Sequence, residues 1–252
     1  MLLAFELVVP LLLAASHAIT KPEPAQGPVT RQAVSRDAPL LDFDYVWPEA
    51  VSADPALSAR MNDDSAKTYD EALKNARENK ADTEKVGAPF NQNLFARTWT
   101  LEGQTTRWMS LVAGTDTFTG GAHPNHTSSA LLWDRSLHRH TQLAELFTSA
   151  GALETAVGPR FCKSLDAERL KRRQGEVLDG EFSQCPAFAT LTIAPADDNG
   201  DGRFESIQLT ADPYVAGPHV EGSYEIMVAV DASLISALKP EFRSDFEVQP
   251  AQ

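Results

Sequence analysis

Apolar and polar residues alternate from Leu41 through Phe43 and Tyr45 to Trp47, the period of a half-buried strand, and Pro48 closes the run. Asp54-Pro55 then supplies an N-cap and a first-turn proline. Leu57, Met61, Tyr69, Leu73 and Ala76 share one face of the long, charged helix that follows. From Phe90 the period becomes two. Leu94–Leu101, Arg107–Ala113 and Ser128–Trp133 read as strands, with turn residues at Glu102-Gly103-Gln104 and Gly114-Thr115-Asp116 between them. Leu143, Leu146 and Phe147 make a short helical turn, and Leu153, Val157, Phe161 and Leu165 recur every four residues on a helix that fades by Gly175. The strand pattern returns at Phe188–Ala194, Phe204–Ala211 and Ser223–Val230. Asp231 caps a last helix that Pro240 stops. This order predicts an α+β fold, mostly antiparallel sheet with helices packed on one face.

The ends of the chain read differently. Residues 1–18 carry an apolar run from Leu7 to Ala15 followed by Ser16 and Ala18, the pattern of a signal peptide cut after Ala18. Glu6 and the lack of a basic residue ahead of the run depart from that pattern, and a misplaced start codon would account for both. Residues 19–39 hold Pro22, Pro24 and Pro28 with few large apolar residues, so a disordered linker is expected, with order beginning near Leu40. No later segment is apolar enough to span a membrane, and export to the periplasm or medium is the expected fate.

Charge narrows the partners. Thirty-five acids against 22 bases leave a net charge of −13, which repels nucleic acid and anionic membranes and suits a cationic partner, unless it serves only solubility. The two cysteines, Cys162 and Cys185, suit an oxidising compartment. They read as a disulfide, with a pair of buried thiols as the alternative, and their spacing excludes a CxxC redox motif.

Four motifs carry candidate chemistry. In Gly120-Gly-Ala-His-Pro-Asn125, His123 and Asn125 are either ligand contacts or, for the histidine, a side chain holding its own loop through a backbone carbonyl. His123/His126 and His138/His140 have spacings that zinc would accept, without the glutamate or cysteine that would support it. Asp197, Asn199 and Asp201 followed by Gly202 match the first half of a calcium loop, with Glu205 at the ninth position and Gln208 where the twelfth should be glutamate. The other reading is an acidic turn. Asp212–Gly222 joins two strands and contains Pro213, Gly217, Pro218 and Gly222. It offers Tyr214, His219 and Glu221 as a recognition surface, or serves only as a wide hairpin. There is no nucleophile elbow, P-loop or dinucleotide glycine pattern, so no catalytic residue is assigned.

Thr119–Asn125, Leu131–Asp134 and Leu143–Phe147, then Phe161-Cys162, Cys185-Pro186, the Asp-Gly turn and Pro213–Gly222 leading into Ser223–Ile226, resemble a known family. It is the extracytoplasmic domain shared by the anti-sigma-V factor and, as an accessory domain, by some peptidoglycan deacetylases. The resemblance divides the mature chain into a deacetylase-accessory-like half over 40–148 and an anti-sigma-V-like half over 149–252. It implies an envelope-facing domain; in the anti-sigma factor this domain senses lysozyme by binding it. His219 stands where an aromatic residue is expected, and neither a sigma-binding segment nor a deacetylase catalytic domain is seen here. The expectation is a non-enzymatic envelope binding domain for cell-wall glycan or a cationic protein such as lysozyme. The alternatives are a wall hydrolase using carboxylates or histidines, and a calcium-stabilised structural module.

Overall fold

A computed structural model describes residues 31–149 and 151–248. The expected signal peptide, and the expected linker up to residue 30, lie outside these residues. The fold is α+β. Among the described residues nine strands form a six-stranded sheet in the order β1-β2-β3-β4-β5-β6 and a three-stranded sheet in the order β7-β8-β9.

The first sheet holds β1 (Arg31–Ala38), β2 (Leu41–Pro48), β3 (Asn93–Gln104), β4 (Trp108–Phe118), β5 (Asn125–Asp134) and β6 (Arg139–Thr141). The linker expected to reach Pro39 stops short, because Arg31–Ala38 pairs antiparallel with β2 along its whole length. Backbone pairing against an existing strand orders a segment that its own side chains would not. β2 and β3 run parallel, and the crossover between them is the long helix α1 (Pro55–Lys85). Every other pairing between these nine strands is antiparallel.

The β2 alternation sets the first core. Leu41, Phe43, Tyr45 and Trp47 are buried against Leu57, Met61 and Ala76 of α1 and against Met109, Leu111, Leu131 and Trp133. Asp54 caps α1 by accepting from the Ala56 and Leu57 amides at 3.0 Å, and its other oxygen accepts from the Trp133 indole at 2.8 Å. The helix start is therefore tied to β5. Farther along, Trp99 Nε1 donates to the Tyr45 hydroxyl, Tyr45 donates to Asp64 of α1, and Arg97 pairs with the same carboxylate. Burial, first, and the Asp64 hydrogen bond, second, push the Tyr45 phenol well above its usual range.

The turn expected at Gly114–Asp116 is absent. These residues continue β4 to Phe118, and the β4–β5 connection is instead the loop that carries His123. The β3–β4 hairpin, expected at Glu102–Gln104, turns at Thr105–Arg107, where the Thr105 hydroxyl accepts from the Arg107 and Trp108 amides. Gly114 sits mid-strand for a steric reason: a Cβ there would lie 3.1 Å from the His126 ring. Glu102-Gly103-Gln104 is also strand, with a register shift between Leu101 and Gly103.

The second half comprises α2 (Ala152–Arg172), β7 (Thr192–Ala196), β8 (Ser206–Ala211), β9 (Tyr224–Ala229) and the short α3 (Ala232–Ala237). The strand expected from Phe188 begins four residues later, after a 3-10 turn over Phe188–Thr190. Leu153, Val157, Phe161 and Leu165 of α2 pack against Ile207, Leu209, Tyr224, Ile226 and Val228, and this core takes in Trp108 and Leu132 from the first half. Trp108 Nε1 donates to Asp245, and Asp197 N donates to the Glu102 carbonyl. The two halves thus share buried side chains. Cys162 and Cys185 form the expected disulfide, with Cα atoms 5.4 Å apart.

Candidate functional site

The two glycine-proline loops, far apart in sequence, meet on one end of the molecule. The His123 and His219 rings stack with centroids 3.8 Å apart, and Tyr214 lies 5.5 Å from His219. Both imidazoles reach one oxygen: His123 Nδ1 is 2.9 Å and His219 Nε2 3.3 Å from the Pro124 carbonyl. A carbonyl can only accept, so each ring presents an N–H there and keeps its other nitrogen for solvent or ligand. His123 bonds a neighbouring carbonyl, the loop-holding reading of its sequence, and its ring also packs on the second loop.

Tyr214 is 58% exposed and has φ +71°. A bulky residue in the left-handed region is strained, and the surroundings must hold it there. A tight turn does so: Tyr214 N donates to the Gly217 carbonyl at 2.9 Å and Val215 N to the Asp212 carbonyl at 3.0 Å. Asp212 anchors that turn to β5 by accepting from the amide and hydroxyl of Ser128.

Behind the loop stands the end of α2. Arg169, 3% exposed, donates twice to the Ala216 carbonyl and once to the Gln184 carbonyl. Arg172 donates to the Glu221 and Ser223 carbonyls, and Arg173 forms a two-pronged pair with the Glu221 carboxylate at 2.8 and 2.9 Å. Glu221 also accepts from the Tyr224 hydroxyl. The Arg173 hydrogen bond, foremost, holds the Glu221 carboxyl below its ordinary range despite burial. Glu221 is therefore a brace inside the loop. It does not join the exposed cluster of His123, Tyr214 and His219. Asn125 opens β5 opposite Thr117, exposed and beside the cluster.

The three arginines escaped the sequence reading, although their signal was present. The four-residue series Leu153, Val157, Phe161, Leu165 continues to position 169, so Arg169 stands on the buried face of α2.

The spacings that zinc would accept are not brought to one point. His126 Nδ1 lies 2.7 Å from Asp116 on the outer sheet face, and His138 lies 3.9 Å from Asp54. Among the described residues no three histidine, cysteine, aspartate or glutamate side chains form a ready-made metal cage. Between β7 and β8, Asp197 accepts from the Gly200, Asp201 and Gly202 amides, Asn199 Oδ1 from Asp201 N, and Glu205 Oε1 from Asn199 N. Burial, foremost, raises the Glu205 pKa, with Asp198 and Asp197 adding to the shift.

A second surface lies on the outer face of the six-stranded sheet. Strand alternation and register place Asp37, Asp42, Asp44 and Asp116 on the side opposite α1. Asp37 sits directly across from Asp42, a like-charge pair that is unfavourable without a counter-ion. Among the described residues none of these four pairs with lysine or arginine. Asp37 accepts from Gln92, Asp44 from Ser35, and Asp116 faces His126.

Strand, strand, long helix and two further strands, with the first glycine-proline loop after them, make up the region in which a known family is recognised. Residues 34–126 match the family model described as Deacetylase PdaC. The PdaC-like segment runs from β1 to the start of β5, so it includes His123 and ends before the second half begins. Two solved structures of the DUF3298 family are similar to the chain. One, from Bacteroides fragilis, is 12% identical, covers 87% of this chain and 97% of its own, and has a TM-score of 0.49. The other, from Pseudomonas aeruginosa, is 12% identical, covers 85% of this chain and 96% of its own, and has a TM-score of 0.44. No curated protein matches the chain. No helix among the described residues is long and apolar enough to cross a membrane.

Proposed function

We propose that the chain is a non-enzymatic recognition domain of the bacterial envelope that binds wall glycan on the Tyr214–His219–His123 platform. The observation that carries this reading is the exposed ring of Tyr214, held in a strained backbone conformation and continued by two stacked imidazoles. A flat amphipathic ring loses little entropy on contact and presents an apolar face beside a polar tip, which suits a sugar ring with its own apolar face and hydroxyl edge. The free imidazole nitrogens supply hydrogen-bond partners at the rim. The PdaC-like segment and the resemblance to accessory domains of peptidoglycan deacetylases favour a wall polymer over an unrelated glycan.

The test is co-sedimentation of the mature chain with purified peptidoglycan. Wild type is expected in the pellet and Tyr214→Ala in the supernatant, with unchanged melting temperature. Equal pelleting of both overturns the assignment of the platform. Release of acetate or of soluble fragments by wild type, abolished by His123→Ala, establishes a hydrolase instead.

A cationic wall-active protein such as lysozyme is the second reading, and the four aspartates of the outer sheet face, which among the described residues have no lysine or arginine partner, favour it. Such a partner would associate at a rate that falls steeply with salt, and Asp42→Asn with Asp116→Asn would slow it further. A salt-insensitive on-rate removes this reading and leaves the glycan platform untouched.

A further inference from the structure

The loop between β7 and β8 plays no part in the glycan platform, and its residues carry an inference of their own. Asp197, Asn199 and Asp201 place a side-chain oxygen at every second position, and Gly202 follows at the sixth, with φ +91°. That is the arrangement with which a calcium loop wraps an ion. An acidic turn would show the same spacing, so the spacing does not decide the matter.

The deciding observation is Glu205. It is 2% exposed, it opens the strand side of the loop, and its two oxygens are treated unequally. Oε1 accepts from Asn199 N at 2.7 Å, which aims the carboxylate into the loop; Oε2 is buried and has no hydrogen-bond partner. A buried carboxylate oxygen without donor or counter-charge is strongly disfavoured, and protein interiors leave few such groups. Among the described residues no cation answers it. Arg203, the nearest base in sequence, is committed to Glu247 and to the Phe246 carbonyl. Among the described residues, none of Asp197, Asp201 and Glu205 forms an ion pair.

We infer that this loop is a calcium site, with Asp197, Asn199, Asp201 and the free oxygen of Glu205 as its protein ligands. Asn199 and Asp201 are exposed, so their side chains are free to turn from the loop's own amides onto an ion. Asp197, Asp201 and Glu205 do not converge as they stand, so the set assembles only when the exposed Asn199 and Asp201 side chains turn inward around the cation. Oxygen-only ligands of mixed charge on an irregular loop suit calcium, which accepts varied geometry, better than magnesium, which demands a strict octahedron. Gln208 replaces the bidentate glutamate of the full motif, so the site is expected in the weak range of extracellular modules, with Kd about 10⁻⁴–10⁻³ M. The ion would also fasten the two halves. The Asp197 amide donates to the Glu102 carbonyl, and a Cβ on Gly103 of β3 would stand 2.7 Å from Asp197 Cβ.

The test is calcium titration of the full, chelator-treated chain by calorimetry, with melting temperature read in parallel. Calcium is expected to bind in the stated range and to raise the melting temperature, and magnesium at the same concentration to raise it less. Asn199→Ala with Asp201→Ala should lower the metal-free melting temperature only slightly, since the loop hydrogen bonds lost are exposed, and weaken calcium at least about tenfold, the loss that even outer-shell partners produce. Glu205→Gln should also lose the calcium response and, being neutral, should melt no lower than wild type without metal. No heat and no shift in about 10 mM calcium, well above that affinity range, overturns the proposal. So does a calcium response that survives in the double variant.

Discussion

His219 stacks on His123 with ring centroids 3.8 Å apart, and both rings donate to the same carbonyl of Pro124. One backbone oxygen thus fixes the separation of two loops that belong to different halves of the chain. Truncating either ring should loosen the pair without touching a core. His219→Ala is expected to change the melting temperature little, because both rings lie outside the packed cores and exposed hydrogen bonds contribute on the order of 1 kcal/mol or less. It should still weaken glycan binding. Loss of binding in His219→Ala with binding kept in His126→Ala would separate the platform from the outer sheet face.

Tyr214 poses a trade between stability and binding. Its left-handed conformation costs about 1–2 kcal/mol, part of which asparagine removes. Tyr214→Asn is therefore expected to stabilise the chain by roughly 0.5–1 kcal/mol in urea unfolding and to abolish glycan pelleting. A destabilised Asn variant would mean that the ring contributes packing which its 58% exposure does not suggest.

What the sequence made legible follows from how locally each feature is encoded. The β2 alternation, the Asp54 cap and the α2 series depend on neighbours in the chain, and each reappears in the fold. The strand β1 has no such pattern; Arg31–Ala38 is ordered by pairing with β2, a partner its own residues do not announce. Gly114 misled for a related reason. Its glycine serves a His126 ring on the neighbouring strand, and a close approach of that kind looks the same in sequence as a turn. The site divides likewise. Both loops were recognisable from glycine and proline, but their meeting was not. Glu221 looked like a contact because nothing in sequence pairs it with Arg173.

The disulfide closes a short excursion. Cys162 lies on α2 and Cys185 on the irregular segment that leads to β7, with 23 residues of sequence separation. On the loop-entropy account the bridge contributes about 3 kcal/mol. Reduction, or Cys162→Ala with Cys185→Ala, should lower the unfolding free energy read from urea titration by about that amount. Glycan binding should persist, since Arg169 still holds the Ala216 carbonyl behind the platform.

The Arg173–Glu221 pair brings acid sensitivity to the second loop. Arg173 holds the Glu221 carboxyl below its ordinary value, so the unfolded chain binds this proton more readily than the folded one does. The stabilisation is then fully present above the unfolded carboxylate pKa, about 4.3, and is lost as pH falls through the depressed folded value. Glu221→Gln removes the charge but leaves Arg173 nearly buried, with side chains at 7% and 13% exposure, and should cost about 3 kcal/mol at pH 7. Gly217→Ala should act through the same pair, because a Cβ there would collide with the Glu221 carboxylate. Urea midpoints of wild type and Glu221→Gln between pH 7 and 3 decide the matter. The gap between them should narrow only below about pH 4.3, and a constant gap would show that the loss is one of packing rather than charge.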